Sequence, residues 1–384
     1  MIRKILITTT TRADWGILSP LARALASRPD VDVRIMASNM HLDPLRGDTL
    51  GEIEADGFNP LIAPMPTGYV FAADAAKAMA EGARSAASVI GEEAPDAMVM
   101  LGDRFEMLAM ATVAAVMRVP VIHLCGGEIS EGAMDDCFRH AITKLSALHL
   151  VTTENHRRRV IQLGEEPERV INVGSLAAAN AAKTPDMSRE ELEADLGWSF
   201  GKNGALMLTL HPETLSPTPA EVLAANTMEA LDRFPQMHVL ITYPNNDPDG
   251  EKIIRVIEDY SHRHPGRVLT VPSLGRRRYM AALRCVDAVV GNSSSGLTEV
   301  SAAGVPTVNI GNRQAGRDCG SGVVHCSDSA NAIAGALATA LAMDRESISC
   351  PYLKTDTLEL MTETVATTPL ELLRRPKRFY DIEQ

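Results

Sequence analysis

The stretch AVVGNSSSGLTEVSAAG, Ala288–Gly304, decides how the rest of the chain is read. Ala288–Val290 reads as a short buried strand, GNSSSG (Gly291–Gly296) as a turn, and Leu297–Ala303 as a helix. A strand that enters a glycine- and serine-rich turn and leaves as a helix is a corner suited to phosphate. The N–H groups and dipole at a helix start favour an anion. Ser293, Ser294 and Ser295 add hydroxyl donors, and Gly291 and Gly296 let the backbone approach closely. The plainer reading is a serine cap on a helix; three serines between two glycines favour the anion cradle.

Outward from this corner, the same alternation fills the chain. Strand candidates are Lys4–Thr8, Val31–Ala37, Ala97–Leu101, Val119–Leu124 and Leu148–Thr152, then Ala205–Leu210, His238–Thr242, Val268–Thr270, Ala288–Val290 and Thr307–Ile310. Helical patterns such as Ile17–Ala26, Met107–Val116, Pro219–Arg233 and Tyr279–Arg284 lie between them. The expectation is an α/β protein whose parallel sheets are covered on both faces. A break falls around Ala177–Asn203, where PDMSREELEADLG (Pro185–Gly197) reads as a charged helix between turns, joining two Rossmann-like halves. The last stretch, Thr368–Gln384, is helix-like and then charged, and its plainer reading is a frayed tail.

Composition narrows the function. At 384 residues the chain exceeds what one core usually supports, so two domains are expected. Its 45% hydrophobic and 22% charged residues are ordinary for a soluble globular protein, and 4% aromatics suit small-residue helices on a sheet. A net charge of -12 argues against a nucleic-acid partner, while a few arginines in one cleft can still hold a small anion. The cysteines Cys125, Cys137, Cys285, Cys319, Cys326 and Cys350 form no CxxC pair, which argues against zinc ribbons and thioredoxin chemistry. The N-terminal run MIRKILITTTT is too short for a signal peptide or a span, so a cytoplasmic enzyme without a membrane partner is expected.

In open parallel sheets, ligands sit beyond the carboxyl ends of the strands. The residues found there are Arg12, Asp103 and Arg104 of GDR, and Glu128 of CGGE in the first half. His211, Glu213, Tyr243–Asn246, GNSSSG and GNRQAGR (Gly311–Arg317) follow strands of the second. Each alone could be a turn or cap; their recurrence in both halves implies a cleft between domains. Glu299 is suited to a ribose diol, or to plain helix chemistry, and Arg313 and Arg317 to charge-assisted contacts. The acidic set is Asp103, Glu128, Glu131, Asp135 and Asp136, with Arg139 one turn beyond the last two. Enclosure raises a carboxyl pKa and so makes an acid or base that works near neutrality. His211, after a buried strand and before Pro212, is expected to titrate usefully, whereas His123 lies inside a strand and reads as core. Asp247-Pro248-Asp249 superficially matches a metal-binding DxD but reads as a loop, and no GxGxxG follows the first strand.

These residues resemble a known family. TTTTRADWGIL (Thr8–Leu18), LGDRFE (Leu101–Glu106), HLCGGE (His123–Glu128), Glu131–Glu154, RVIQLGE (Arg159–Glu165), VINVGS (Val170–Ser175), HPET (His211–Thr214), GNSSSGLTEV (Gly291–Val300), GNRQAGR and the closing FYDI (Phe379–Ile382) look like the hydrolysing UDP-N-acetylglucosamine 2-epimerases, in the branch that serves sialic, legionaminic and related nonulosonic acids. The resemblance implies two Rossmann-like domains in the glycosyltransferase-B arrangement with an interdomain cleft. These are 1–178, with a C-terminal helix 366–384 packing back on it, and 179–365. It further implies a homodimer, no redox cofactor and no catalytic metal. By position in the matching motifs, Asp103, Glu128 and Asp135 look like catalytic carboxylates and His211 like the site histidine. Arg12, Ser294, Ser295, Gly296 and Glu299 look like nucleotide contacts, and Arg139, Arg313 and Arg317 are additions to the site. Asp135 and Asp136 remain alternatives for one role. Cys125 departs from the HGGE of many relatives, which puts the sugar pocket in question.

The reaction expected is release of UDP and N-acetylmannosamine from UDP-N-acetylglucosamine, through elimination to a glycal and hydration with inversion at C2. Alternatives are the same chemistry on UDP- or GDP-N,N′-diacetylbacillosamine, a glycosyltransferase of the same fold, and a non-catalytic nucleotide-sugar sensor.

Overall fold

The segment Arg3–Thr9 carries Ile5, Leu6 and Ile7 in succession, and all three are fully buried. A strand apolar on both faces belongs in the middle of a parallel sheet covered by helices on each side. In the computed structural model Ile5 and Ile7 join one core layer and Leu6 the other. The structure describes residues 2–43, 49–67, 72–130, 135–183, 185–213, 217–244 and 249–382.

The first sheet consists of β1 (Arg3–Thr9), β2 (Val31–Ser38), β3 (Leu61–Ala63), β4 (Ala97–Leu101), β5 (Val121–Leu124), β6 (Leu148–Val151) and β7 (Val170–Asn172). All pairs are parallel, in the order β3-β2-β1-β4-β5-β6-β7. The second sheet consists of β8 (Ala205–Thr209), β9 (His238–Thr242), β10 (Val268–Val271), β11 (Ala288–Gly291), β12 (Thr307–Ile310) and β13 (Val323–Cys326). It is also parallel, in the order β10-β9-β8-β11-β12-β13. Each order reverses direction once, between β1 and β4 and between β8 and β11. These switch points are where loops diverge and leave room for a ligand.

The expected strands are present, and three more appear: β3, β7 and β13. Each is short and lies at a sheet edge. The charged segment at the break forms the helix Arg189–Leu196, opened by a Ser188/Glu191 capping box and closed by left-handed Gly197.

The chain divides into two units, Met1–Ile129 with Ala133–Leu176 and Lys354–Gln384, and Ala177–Leu353 with Ser130–Gly132. The return to the first unit therefore comes at Lys354, earlier than the 366 expected. Its cause is the helix Thr357–Thr367, whose Met361, Val365 and Ala366 join the core around Ile5 and Ile7. The tail is not a continuous helix 366–384. It is the short helix Leu370–Arg374 followed by an extended segment up to Ile382.

That segment is tied down by buried charge. Arg169, fully buried, donates to the carbonyls of Ala147 (3.0 Å), Leu372 (2.8 Å) and Arg375 (3.2 Å) and to Glu166 Oε2 (2.8 Å). Lys377 Nζ reaches Glu165 Oε2 at 2.8 Å, and the Tyr380 N–H donates to the Gly164 carbonyl at 3.0 Å. Lys144 and the His149 ring share Glu165, and these partners hold its carboxyl down at about 2 despite burial. Arg169→Met removes one charge of a buried pair and strands the carbonyls. It should cost about 3–5 kcal/mol in a urea melt and expose the tail to proteolysis; an unchanged urea midpoint would show that the tail is held otherwise.

Candidate active site

At the carboxyl end of β1, Thr11 caps the helix Arg12–Ala26 in a reciprocal box with Asp14. The Asp14 carboxylate also accepts from Thr10 Oγ1 at 2.8 Å, and burial raises its pKa. Arg12 opens this helix, exposed, with Glu52 Oε1 at 3.9 Å. Behind the same turn, Thr9 Oγ1 and Thr49 Oγ1 hold the buried His41 ring at 2.9 and 3.0 Å, and burial lowers its pKa to about 4.

Across the switch point, β4 ends in Gly102-Asp103-Arg104. Arg104 forms a bidentate pair with the fully buried Glu106, at 3.1 and 2.9 Å. Asp103 accepts from Arg139, which is only 1% exposed although it sits on the helix Asp135–Leu145. Arg139 donates further to the Glu128 carbonyl at 2.9 Å and to Asp136 Oδ1 at 3.3 Å. One guanidinium thus gathers the GDR turn, the CGGE turn and the DD helix start. The Glu128 carboxylate accepts from Thr152 Oγ1 at 3.4 Å, and Thr152 also bonds the buried His156 ring at 2.8 Å.

The two aspartates of this helix now differ. Asp136 is paired with Arg139 and lies 3.3 Å from His140 Nε2. Asp135 has its pKa raised by burial, and then by the negative charge of Asp103. Cys125 adopts a left-handed φ of +66°, unusual for a side chain of its kind, and is half-buried against the first core. Glu131 lies outside the described residues, as do residues 245–248, which hold most of the DxD-like run.

In the second unit, β8 and β11 are clamped at their ends. The His211 N–H donates to Asn292 Oδ1 at 2.7 Å, and Asn292 Nδ2 returns a bond to the His211 carbonyl at 2.9 Å. Gly291 makes this approach possible: a Cβ there would lie 1.9 Å from the Thr209 carbonyl oxygen, and its φ is +141°. Arg313 Nη1 and Gln314 Nε2 donate to the Asn292 carbonyl at 3.2 and 2.9 Å, and Glu213 Oε1 accepts from the Arg313 N–H at 3.1 Å. Glu213 follows its strand as the sequence indicates, and Asn292 and Gln314 stand inside the GNSSSG and GNRQAGR motifs; the clamp that these three form comes from contacts between distant turns, which the sequence does not show.

The serine turn corrects two expectations. First, Leu297–Ala303 is not one helix. Ser294–Gly296 forms a single 3-10 turn, and the α-helix behind it covers only Glu299–Ala302. A macrodipole needs aligned turns, so the anion cradle loses most of that support and rests on the turn itself. Ser295 Oγ donates to Ser293 Oγ at 3.1 Å, the Ser294 carbonyl accepts from Thr298 Oγ1 at 3.1 Å, and the buried Gly296 carbonyl accepts from Thr307 Oγ1 at 2.9 Å. Glu299 accepts from Thr298 Oγ1 and faces Tyr279, whose hydroxyl pKa is raised by burial and then by Glu299. Arg317 donates to Ser130 Oγ at 3.1 Å. Second, His211 does not titrate near neutrality: burial, then the Arg313 charge, lowers its pKa to about 3. Its role is that of a neutral ring. Among the described residues no three His, Cys, Asp or Glu side chains group so as to hold a metal ion.

Comparison with known proteins fits this geometry. The profile of the UDP-N-acetylglucosamine 2-epimerase family matches residues 23–366. The GDP/UDP-N,N′-diacetylbacillosamine 2-epimerase (hydrolyzing) of Campylobacter jejuni is 34% identical over 315 residues, 82% of each chain. The UDP-N,N′-diacetylbacillosamine 2-epimerase (hydrolyzing) of Legionella pneumophila is 33% identical over 371 residues, 96% of this chain and 97% of its own. Among solved structures, that of S. aureus MnaA with UDP superposes with a TM-score of 0.76 at 14% identity, covering 95% of this chain and 96% of that one. The fold is thus α/β with two Rossmann-like units, of the glycosyltransferase-B type, and the protein is an enzyme of nucleotide sugars. The chain belongs to the UDP-N-acetylglucosamine 2-epimerase family.

The buried histidines set a pH dependence. His41 is neutral in the folded state down to about pH 4, whereas in the unfolded chain it takes a proton near 6.5. Its contribution to stability is complete above pH 6.5 and is lost as pH falls toward 4; the raised Asp14 acts with the opposite sign. In His41→Gln the slope of unfolding free energy over that window should be shallower than in the wild type, measured by denaturant melts at several pH values. Equal slopes would contradict the assignment.

Proposed function

We propose that this enzyme hydrolyses a UDP-linked 2-acetamido-hexose with inversion at C2, the first donor being UDP-N-acetylglucosamine and the product free N-acetylmannosamine. The observation that carries the reading is the gathering of Asp103, Asp135 and the Glu128 turn around the buried Arg139. A C2–H with no adjacent carbonyl is too weak an acid to be removed directly. Departure of UDP from C1 creates oxocarbenium-like charge that acidifies it. Loss of the C2 proton then gives a glycal, and water adds at C1 as a proton returns to the opposite face of C2.

In this reading Ser293, Ser294, Ser295, Gly296, Arg12, Arg313 and Arg317 hold the leaving diphosphate, and Glu299 the ribose. Asp103 and Glu128 are candidates for the C2 base. Asp135, whose pKa is raised by burial and then by the Asp103 charge, suits proton delivery and takes precedence over the ion-paired Asp136. Neutral His211 hydrogen-bonds without adding charge.

A second donor is favoured by a specific observation. Two relatives with identities of 34% and 33% carry N,N′-diacetylbacillosamine in their names, and Cys125 stands in the CGGE turn that the sugar would meet. UDP- or GDP-N,N′-diacetylbacillosamine is therefore the alternative substrate, and nonulosonic acid synthesis the pathway for both. A homodimer in the cytoplasm completes the proposal. No described helix is long and apolar enough to cross a membrane, and light scattering that gave a monomer mass would remove the dimer.

The test offers UDP- and GDP-sugars in heavy water and follows nucleotide release and product by proton NMR. Deuterium at C2 of a free mannosamine-type sugar is expected; a product with protium at C2, or transfer only when an acceptor is added, would sink the proposal. Asp103→Asn, Glu128→Gln and Asp135→Asn should each lower kcat about 100- to 10,000-fold with the fold retained. A near-normal rate in any variant removes that residue from the scheme.

A further inference from the structure

His123 sits in the middle of β5 among Val121, Ile122 and Leu124, fully buried. An apolar residue would satisfy that slot without the cost of burying a polar ring, so packing alone does not explain it. Both ring nitrogens are engaged. Nε2 lies 2.8 Å from the Gly102 carbonyl, and Nδ1 lies 3.2 Å from Thr143 Oγ1. A carbonyl oxygen only accepts, so Nε2 carries the hydrogen and Nδ1 takes one from the threonine. The ring is neutral in this state, burial having lowered its pKa to about 4.

Its partners are chemically placed. Gly102, held at a left-handed φ of +89°, immediately precedes Asp103. Thr143 lies on the helix that carries Asp135 and Arg139. The third contact is steric. A Cβ on Gly126 would come within 3.1 Å of His123 Nδ1 and 3.0 Å of Thr143 Oγ1, so the CGGE turn lies directly on this ring.

We propose that His123 is a positioning residue whose ring joins the GDR turn, the CGGE turn and the Asp135–Leu145 helix into one frame that spaces Asp103, Glu128 and Asp135. This rests on the carboxylate reading given above. The ring touches no reacting atom in this account; it acts through the three segments it joins. His149, opposite His123 in the register of β6 and equally buried, serves as an internal comparison. Its Nε2 bonds Glu165 in the network that holds the tail.

The experiment compares His123→Phe, which keeps a flat ring without polar atoms, His123→Gln, whose amide nitrogen can still donate to Gly102, and His149→Phe. For each, UDP release gives kcat and KM, and a melt gives stability. Phe at 123 should lower kcat about 100-fold while KM changes less than about threefold, as expected when geometry near the reacting centre slips. Gln at 123 should recover at least about tenfold of that loss. His149→Phe should lower the melting temperature and leave kcat within about threefold.

The proposal is overturned if Phe at 123 leaves kcat near the wild-type value, if Gln is no better than Phe, or if His149→Phe loses kcat equally. Carboxyl carbon NMR of Asp135 reads the frame without turnover. Its titration midpoint should fall toward the ordinary aspartate range in His123→Phe, and an unchanged midpoint would refute the frame. If the wild type turned over no nucleotide sugar, the functional reading would fail while this measurement still judged the frame.

Discussion

The organisation of the first unit depends on how a buried guanidinium is kept charged. Arg139 is 1% exposed and cannot give up its proton, so its surroundings must supply acceptors or the fold does not form. They come from the Asp103 carboxylate, the Glu128 carbonyl and, one turn back on its own helix, the Asp136 carboxylate. Satisfying one cation therefore fixes two turns against this helix. The constraint is structural first. It also leaves Asp135 enclosed near Asp103, where burial and then that negative charge raise its pKa against the opposing pull of Arg104 and Arg139. Stability and acid–base chemistry thus come from the same arrangement, with the neutral His123 ring bracing it from behind.

The second unit solves a different problem with neutral groups. Its switch point is closed by the amide of Asn292 across β8 and β11, and the Arg313 and Gln314 side chains converge on that residue's carbonyl. The result is a rigid floor beneath the serine turn. The sequence places this turn before a helix over Leu297–Ala303; the structure has a 3-10 turn followed by a helix of four residues. In the proposed function, affinity for a diphosphate would then come from directed hydroxyl and N–H donors and from the arginines, and less from a dipole. Short, directed donors discriminate geometry better than a diffuse field does.

Much of this was legible in the sequence because parallel sheets write themselves plainly. Central strands are apolar on both faces, and β1, β4, β5, β8 and β11 were all visible for that reason. The missing strands β3, β7 and β13 are three or four residues long, lie at edges and are partly exposed, so they lack that signal. The start of β5 was placed too early, at Val119, because Pro120 has no N–H to give to a ladder. The candidate site residues are legible in the sequence as positions after strands or at a helix start. Their charge states are not. Whether His211 is charged depends on burial and on Arg313, a residue far away in sequence. Asp136 pairs with Arg139 one turn along the same helix, and the enclosure of Asp135 depends on packing against Asp103 from a distant turn.

The charge states, taken together, constrain any mechanism on this scaffold. Three histidines, His41, His123 and His211, are held neutral by burial, at about 4, 4 and 3. None of these three can act as an imidazolium acid near neutrality. Among the carboxyl groups, Asp135 and Asp14 have raised pKa values, but Asp14 is committed to capping the Arg12–Ala26 helix through Thr10 and Thr11. At the DD helix start, Asp136 is ion-paired with Arg139, whereas Asp135 has its pKa raised by burial. A reaction that removes a proton from one face of a carbon and returns one to the other needs two groups in different surroundings. Asp103 accepts from the Arg139 guanidinium, whereas burial and then the Asp103 charge raise the pKa of Asp135 beside it. The serine turn can hold a leaving group, but this asymmetry between neighbouring aspartates is what would let an elimination be followed by protonation from the opposite side.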